Sequence, residues 1–371
     1  MKQGSGQMDV SAILDPLNDA QRDAVTAAEP HLLVLAGAGS GKTRVLVHRI
    51  AWLIQVDRIP GSSLMAVTFT NKAAREMRGR IEQMLGQPTQ GYWFGTFHGI
   101  AHRLLRAHWR DAALPENFQV LDSDDQLRLI KRVMRELNID ESRWPPRQVQ
   151  GYINGQKDEG LRADHIDTHG DHFQSTLLRI YRQYEQQCQR SGLVDFGELL
   201  LRAHELWLNN PAVLDHYQRR FRHVLVDEFQ DTNTLQYAWL RVLCGQRVPL
   251  TIVGDDDQSI YGWRGARIEN IRQFERDFPG ARVVRLEQNY RSTGTILQAA
   301  NAVIANNQGR LGKQLWTEAG QGDTIDVYAA FNEQDEANYV ADTLADWVRQ
   351  GHRRSEVGIL YRSNAQSRVI E

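Results

Sequence analysis

Short apolar runs recur along the chain, and the first of them are each followed by an amphipathic stretch. His31–Ala36 (HLLVLA) is almost wholly apolar and stops at a glycine cluster, residues 37–41. Residues 42–54 then place Val45, His48 and Trp52 near helical spacing. Residues 64–70 (LMAVTFT) form a second β-rich run, and Asn71–Leu85 sets Met77, Ile81, Met84 and Leu85 on one helical face. Strands that are apolar on both sides must be covered on both sides, so the pattern predicts a parallel sheet between layers of helix. Over 97–221 helical periodicity takes over, as in Leu127, Ile130, Val133 and Leu137, with Ser123 and Gln126 placed as a capping box. Trp144-Pro145-Pro146 punctuates this stretch. The strand–helix rhythm returns at His223–Val226, Leu250–Gly254 and 281–286. A mostly helical module inserted into an α/β domain is the expected plan. A strand is expected at 357–362 (VGILYR), and the absence of any stop signal after it reads as a cut through a domain. Residues 1–7 read as a leader.

Composition narrows the class of protein without naming its chemistry. In 371 residues, 41% hydrophobic and 24% charged content excludes wholesale disorder. No apolar run approaches the roughly 20 residues that span a bilayer, so no membrane partner and a cytoplasmic location are expected. Cys188 and Cys244 are far apart and outside any metal-binding spacing, which fits a reducing compartment. The net charge of −2 neither implies nor excludes a nucleic-acid partner, since a basic surface can sit on a neutral protein.

Two segments carry recognisable chemistry. Residues 36–43 read AGAGSGKT, a phosphate-binding loop in which Ala36 replaces the usual first glycine. The small residues Gly37, Ala38, Gly39, Ser40 and Gly41 let backbone N–H groups turn towards a phosphate at the helix N-terminus. Lys42 supplies a positive charge to the outer phosphates of ATP, and the Thr43 hydroxyl is a ligand for Mg²⁺. The second segment is the end of the His223–Val226 run at Asp227-Glu228. Opposite a phosphate loop, Asp227 would hold Mg²⁺ and Glu228 would orient and deprotonate water. Other groupings read more blandly. His98 and His102 have zinc-like spacing but no third ligand, and Asp255–Asp257 reads as a polar loop. The arginines at 103, 106, 110, 128, 132 and 135 read mostly as solvated helix face, with some contact to duplex phosphates.

Seven segments occur in an order that resembles the UvrD/Rep/PcrA group of superfamily 1A DNA helicases. They are LNDAQRDAV (17–25), AGAGSGKT (36–43), AVTFTNKAAREM (66–77), GTFHG (95–99), VDEFQDTN (226–233), GDDDQSIYGWRGA (254–266) and QNYRS (288–292). The resemblance implies a RecA-like P-loop NTPase domain from 8–96 and 222–287. It further implies an inserted helical DNA-binding subdomain at 97–221 and an incomplete second RecA-like domain at 288–371. It implies that Gln21 reads the adenine edge and that Arg44 and Tyr290 sandwich the base. By the same likeness Gln258 links the γ-phosphate to the DNA site, and Arg291 stabilises the transferring phosphoryl group. Thr68, Phe69, Asn71, His98, Tyr261, Trp263 and Arg264 match positions lining a single-strand track, where aromatic faces stack on bases. The implied activity is ATP-dependent 3′–5′ unwinding at single-strand/duplex junctions in excision and mismatch repair, with repair proteins as partners. The second domain's later motifs are missing, so this chain is expected to bind ATP, to hydrolyse it slowly, not to unwind, and to self-associate through 288–371, with DNA binding left open. Two further readings stay open: a nucleotide-gated single-strand-binding or protein-docking module, and the helicase-like subunit of a recombination nuclease.

Overall fold

The apolar runs become the central strands of a parallel sheet. A computed structural model describes residues 9–167 and 170–371; the expected leader, 1–7, lies outside the described residues. Eight strands occur among them: β1 (His31–Ala36), β2 (Leu64–Thr68), β3 (Trp93–Thr96), β4 (Gln119–Val120), β5 (Leu193–Val194), β6 (His223–Val226), β7 (Leu250–Gly254) and β8 (Arg282–Leu286). Six form one parallel sheet in the order β3-β2-β6-β7-β1-β8, while β4 and β5 make a small parallel pair.

Alternation of side chains divides the sheet's interior in two. Leu33, Leu35, Met65, Val67, Val224 and Val226 point into one apolar cluster. Leu32, Val34, Ala36, Leu64, Ala66 and Leu225 point into the other. Every residue of β1, β2, β6 and β7 is buried, which is why these segments read as unbroken apolar runs. The helix Lys42–Gln55 runs one residue past its expected end, and Asn71–Leu85 forms with the limits its periodicity predicts. In the second, the Thr70 side chain accepts the Ala73 N–H and Gly86 ends the helix in the left-handed region at φ 64°.

The chain leaves the sheet after β3 at its edge and returns at β6, two strands further in with β2 between. The intervening residues do not form a single body of helices. Phe97–Ala107, Phe196–Asn209 and Pro211–Arg220 pack into the sheet's own core through Ile100, Leu104, Leu200, Trp207 and Tyr217. Ser123–Glu136, Pro146–Asp158 and His172–Ser191 gather around a separate core that includes Ile130, Val133, Ile153, Tyr181 and Tyr184.

Two local expectations are corrected and one is refined. The helix expected to be capped by Ser123 is capped by Asp122, whose side chain accepts the Asp125 N–H; either residue type can cap, and aspartate won. The six arginines of this region are all exposed, as expected of a solvated helix face, although two also brace their neighbours. Arg103 lies over Trp93 at 4.0 Å and donates to Tyr92 O, while Arg106 lies over Phe118 at 3.9 Å and donates to Glu116 O and Phe118 O. No strand forms at 357–362, because a strand needs a neighbour to accept its backbone hydrogen bonds and none pairs with it among the described residues.

The chain divides into two units, one ending at Gly320 and the other running from Gln321 to Glu371. The second unit contains the helices Glu333–Arg349 and Asn364–Ile370. Phe331 and Leu360 there are almost wholly exposed. No helix among the described residues is long and apolar enough to cross a membrane.

Candidate active site

The carboxyl ends of the six parallel strands carry the polar motifs, the usual place for a ligand where a strand order reverses. At the end of β1 the loop turns through Gly39 and Gly41, at φ 68° and 89°, into the helix Lys42–Gln55. A side chain at Gly39 would also be blocked, since its Cβ would lie 2.6 Å from Asn289 Nδ2. Ser40 is buried, its hydroxyl donating to Gly37 O at 2.7 Å. Gln21 stands behind the loop, 1% exposed. Its Nε2 donates to Ser40 O at 2.9 Å and its Oε1 accepts the Asn18 N–H. Its amide therefore braces the loop from behind.

At the end of β6 the chain turns sharply. Glu228 has φ 49°, a left-handed conformation uncommon for a residue with a side chain and frequent at functional sites. The turn brings its carboxylate to Lys42, Nζ to Oε2 at 2.9 Å, across 186 positions of sequence. Gln230 Nε2 donates to the same oxygen at 2.8 Å, and Gln230 Oε1 accepts the Asp255 N–H beyond β7 at 3.0 Å. Asp227 is buried beside this pair, one oxygen accepting the Glu228 N–H at 3.0 Å. Burial, and then the neighbouring Glu228 charge, push its carboxyl up to about 6, with Lys42 opposing.

A cleft of about 700 Å³ opens between these elements. The loop contributes Ala38, Gly39, Gly41, Lys42, Thr43 and Arg44 to its walls, and Glu228 and Gln258 close one side. Tyr290 and Arg291 follow β8 and are held against the loop. The Tyr290 N–H donates to Gly39 O at 2.9 Å, and Asn289 Nδ2 donates to Ala38 O at 2.6 Å. Ala36, Gly37, Ser40 and Gln21 lie behind this surface; Arg80, from the helix Asn71–Leu85, is part of it. Reasoning from sequence passed over Arg80, Gln230 and Asn289. The last two lie within quoted motifs and carried a signal; Arg80 is one arginine among three on a polar helix face and carried none. Thr43 and Asp227 offer a hydroxyl and a carboxylate, hard oxygen donors suited to Mg²⁺, and the Thr43 hydroxyl has no hydrogen bond among the described residues.

A second feature adjoins the cleft. Phe69, just past β2, stacks on Tyr261 at 5.5 Å; Tyr261 lies 6.3 Å from Trp263; and Arg264 lies over Trp263 at 4.5 Å. Trp263 is 75% exposed, so this group is not core packing. Asn71 is exposed at the start of its helix. Thr68, expected on the same track, is instead buried at the end of β2, its hydroxyl without a partner among the described residues. His98 packs edge-on against Phe196, 5.9 Å between centroids, and burial lowers its pKa to about 4. It is neutral at neutral pH and can meet a strand only as a hydrogen-bonding ring.

Residues 17–279 match the family described as the UvrD/REP helicase N-terminal domain, and residues 284–371 match the UvrD-like helicase C-terminal domain. DNA helicase II of Escherichia coli (strain K12) is 62% identical over 98% of this chain and 51% of its own length. DNA helicase II of Haemophilus influenzae is 58% identical over 98% of this chain and 50% of its own. ATP-dependent DNA helicase PcrA of Staphylococcus aureus (strain Mu50) is 43% identical, again over 98% and 50%. The chain spans about half the length of the curated relatives it matches.

Proposed function

The chain belongs to the UvrD/Rep helicase family, and on that premise we propose that it carries the ATP-hydrolysing centre of a 3′–5′ DNA helicase acting at single-strand/duplex junctions. The observation that carries this reading is the meeting of Lys42 and Glu228 in one cleft, a cation for phosphates beside a carboxylate for water.

The geometry suggests how the centre works. The ammonium of Lys42 and the carboxylate of Glu228 pair with each other at 2.9 Å. An arriving γ-phosphate competes for Lys42 and so frees Glu228 to take a proton from the attacking water. Gln230 keeps one oxygen of Glu228 oriented throughout. Arg44, Gln258, Tyr290 and Arg291 all line the cleft. On this reading Arg44 and Tyr290 would flank the base, and Gln258 and Arg291 would face the terminal phosphate. Thr43 and Asp227 would hold Mg²⁺, whose chemistry is to neutralise charge between the outer phosphates. The Phe69, Tyr261, Trp263 and Arg264 group suits unpaired bases, which stack on aromatic faces whatever their sequence. Because Gln258 and Tyr261 share one loop, strand and nucleotide can report to each other. Excision and mismatch repair, with their proteins as partners, are the proposed setting. The exposed Phe331 and Leu360 support self-association through 288–371.

Steady-state ATPase assays with and without single-stranded DNA test the reading. Lys42→Ala is expected to lose most Mg-ATP binding. Glu228→Gln should keep binding and lose more than about 100-fold in kcat. Equal rates in the parent and Glu228→Gln would refute Glu228 as the base.

A further inference from the structure

Beyond β7, three consecutive carboxylates crowd together: one oxygen from each of Asp255, Asp256 and Asp257 lies within 4.8 Å of the others. Carboxylates this close repel one another and call for a cation. The chain supplies it. Lys313, one of only six lysines among 44 basic residues, brings its ammonium to all three: 2.7 Å from Asp255, 2.9 Å from Asp257, and in direct contact with Asp256. Arg310 adds a two-pronged pair to Asp257, both contacts at 2.7 Å, and the Leu311 N–H donates to Asp256 at 2.8 Å. The Lys313 side chain is only 3% exposed. Three oxygen donors around one small cation are a donor set that elsewhere holds a divalent metal.

The triad is wired to the cleft. Gln258 Nε2 donates to Asp255, and the Asp255 N–H donates to Gln230, which holds Glu228. Tyr261 and Trp263 follow on the same loop. On the far side, Leu315 packs over Gly37 of the phosphate loop, and the Asn289 N–H donates to Trp316 O at 2.7 Å. We propose that Lys313 is a positioning residue: a tethered cation that closes the Asp255–Asp257 triad, fixes Gln258 against the nucleotide cleft, and so couples the Tyr261–Arg264 loop to ATP hydrolysis. The inference rests on the ATPase reading above. Arg310 leaves the triad one negative charge in excess even with Lys313 in place, so loss of Lys313 frees the loop instead of merely removing a contact. Burial opposes the ammonium, but the three carboxylates outweigh it and raise its pKa, so Lys313 stays charged.

The test compares Lys313→Gln, Lys313→Arg and the parent in ATPase assays with and without an oligothymidine strand, together with amide hydrogen exchange over 255–266. Lys313→Gln is expected to leave KM for ATP nearly unchanged, lower kcat about tenfold or more, lose stimulation by the strand, and exchange faster in that loop. Lys313→Arg should recover most of each property. Should Lys313→Gln fail to fold, the pair Lys313→Gln with Asp256→Asn relieves the repulsion and is judged by the same readouts. An active parent with Lys313→Gln matching it in kcat and strand stimulation would overturn the proposal. So would Lys313→Arg behaving no better than a folded Lys313→Gln. A parent that neither binds nor hydrolyses Mg-ATP would overturn the ATPase reading and this inference together.

Discussion

Arg80 reaches the nucleotide cleft from the face of a helix, and its guanidinium makes no hydrogen bond or ion pair among the described residues. It lines the same cleft as Lys42 and acts on Asp227 only through its charge, a placement suited to an anionic ligand. Arg80→Ala is expected to weaken binding of a non-hydrolysable ATP analogue by about tenfold or more, the worth of a hydrogen bond to a charged group. Its melting temperature should barely move. Calorimetric titration beside thermal melting checks both. At this scale the sequence was legible where a residue's neighbours announce it: Lys42 by the glycines before it, Glu228 by the apolar strand that delivers it. Thr68 shows the limit, since it sits in the right motif but on the buried side of a strand end.

The helices Pro146–Asp158, His172–Ser191 and Phe196–Asn209 are joined by charge as well as by apolar packing. Lys157, 1% exposed, lies 2.7 Å from Asp195 and 3.0 Å from Glu198. Glu198 also meets Arg162 at 2.8 Å and Arg202 at 2.7 Å. Burial alone would raise the Glu198 carboxyl, but Lys157, Arg162 and Arg202 outweigh it and hold it well below the usual carboxylate range. The support it gives is therefore present at neutral pH and is lost only in strong acid. Lys157→Met keeps the volume and deletes the charge, leaving Asp195 without its closest cation. A loss of about 3–5 kcal/mol is expected in urea unfolding, as for other broken buried pairs, with ATP affinity unchanged. Helical periodicity over 97–221 foretold a helical module here, though not these three helices one by one. It could not foretell this network, because Lys157 sits in a polar stretch, GQKDEG, that looks like surface.

Across the whole fold, the helical insertion is tied to the sheet near the cleft. Asp158 accepts from Asn233 Nδ2 at 2.9 Å, and Glu159 accepts from Thr234 and pairs with Arg267 at 2.7 Å. Burial, then the charges of Glu159 and Asp195, raise the Asp158 carboxyl from 3.8 to about 6. The folded chain thus keeps a proton that the unfolded chain releases, and this group's contribution to stability falls as pH rises through that window. Asp158→Asn should raise the melting temperature relative to the parent at pH 7.5, with the advantage shrinking towards pH 4; an advantage that grows in acid would contradict the assignment. The sequence by itself determined what local physics settles: which runs are strands buried on both faces, where glycines let the backbone wrap a phosphate, and which strand ends in carboxylates. Tertiary structure alone decided which of these meet. Strand order set Lys42 beside Glu228, and the path of the chain beyond β8 carried Lys313 into an acidic triad. Partners so distant along the chain leave no periodicity behind, and a buried charge is tolerated only where the fold delivers its opposite.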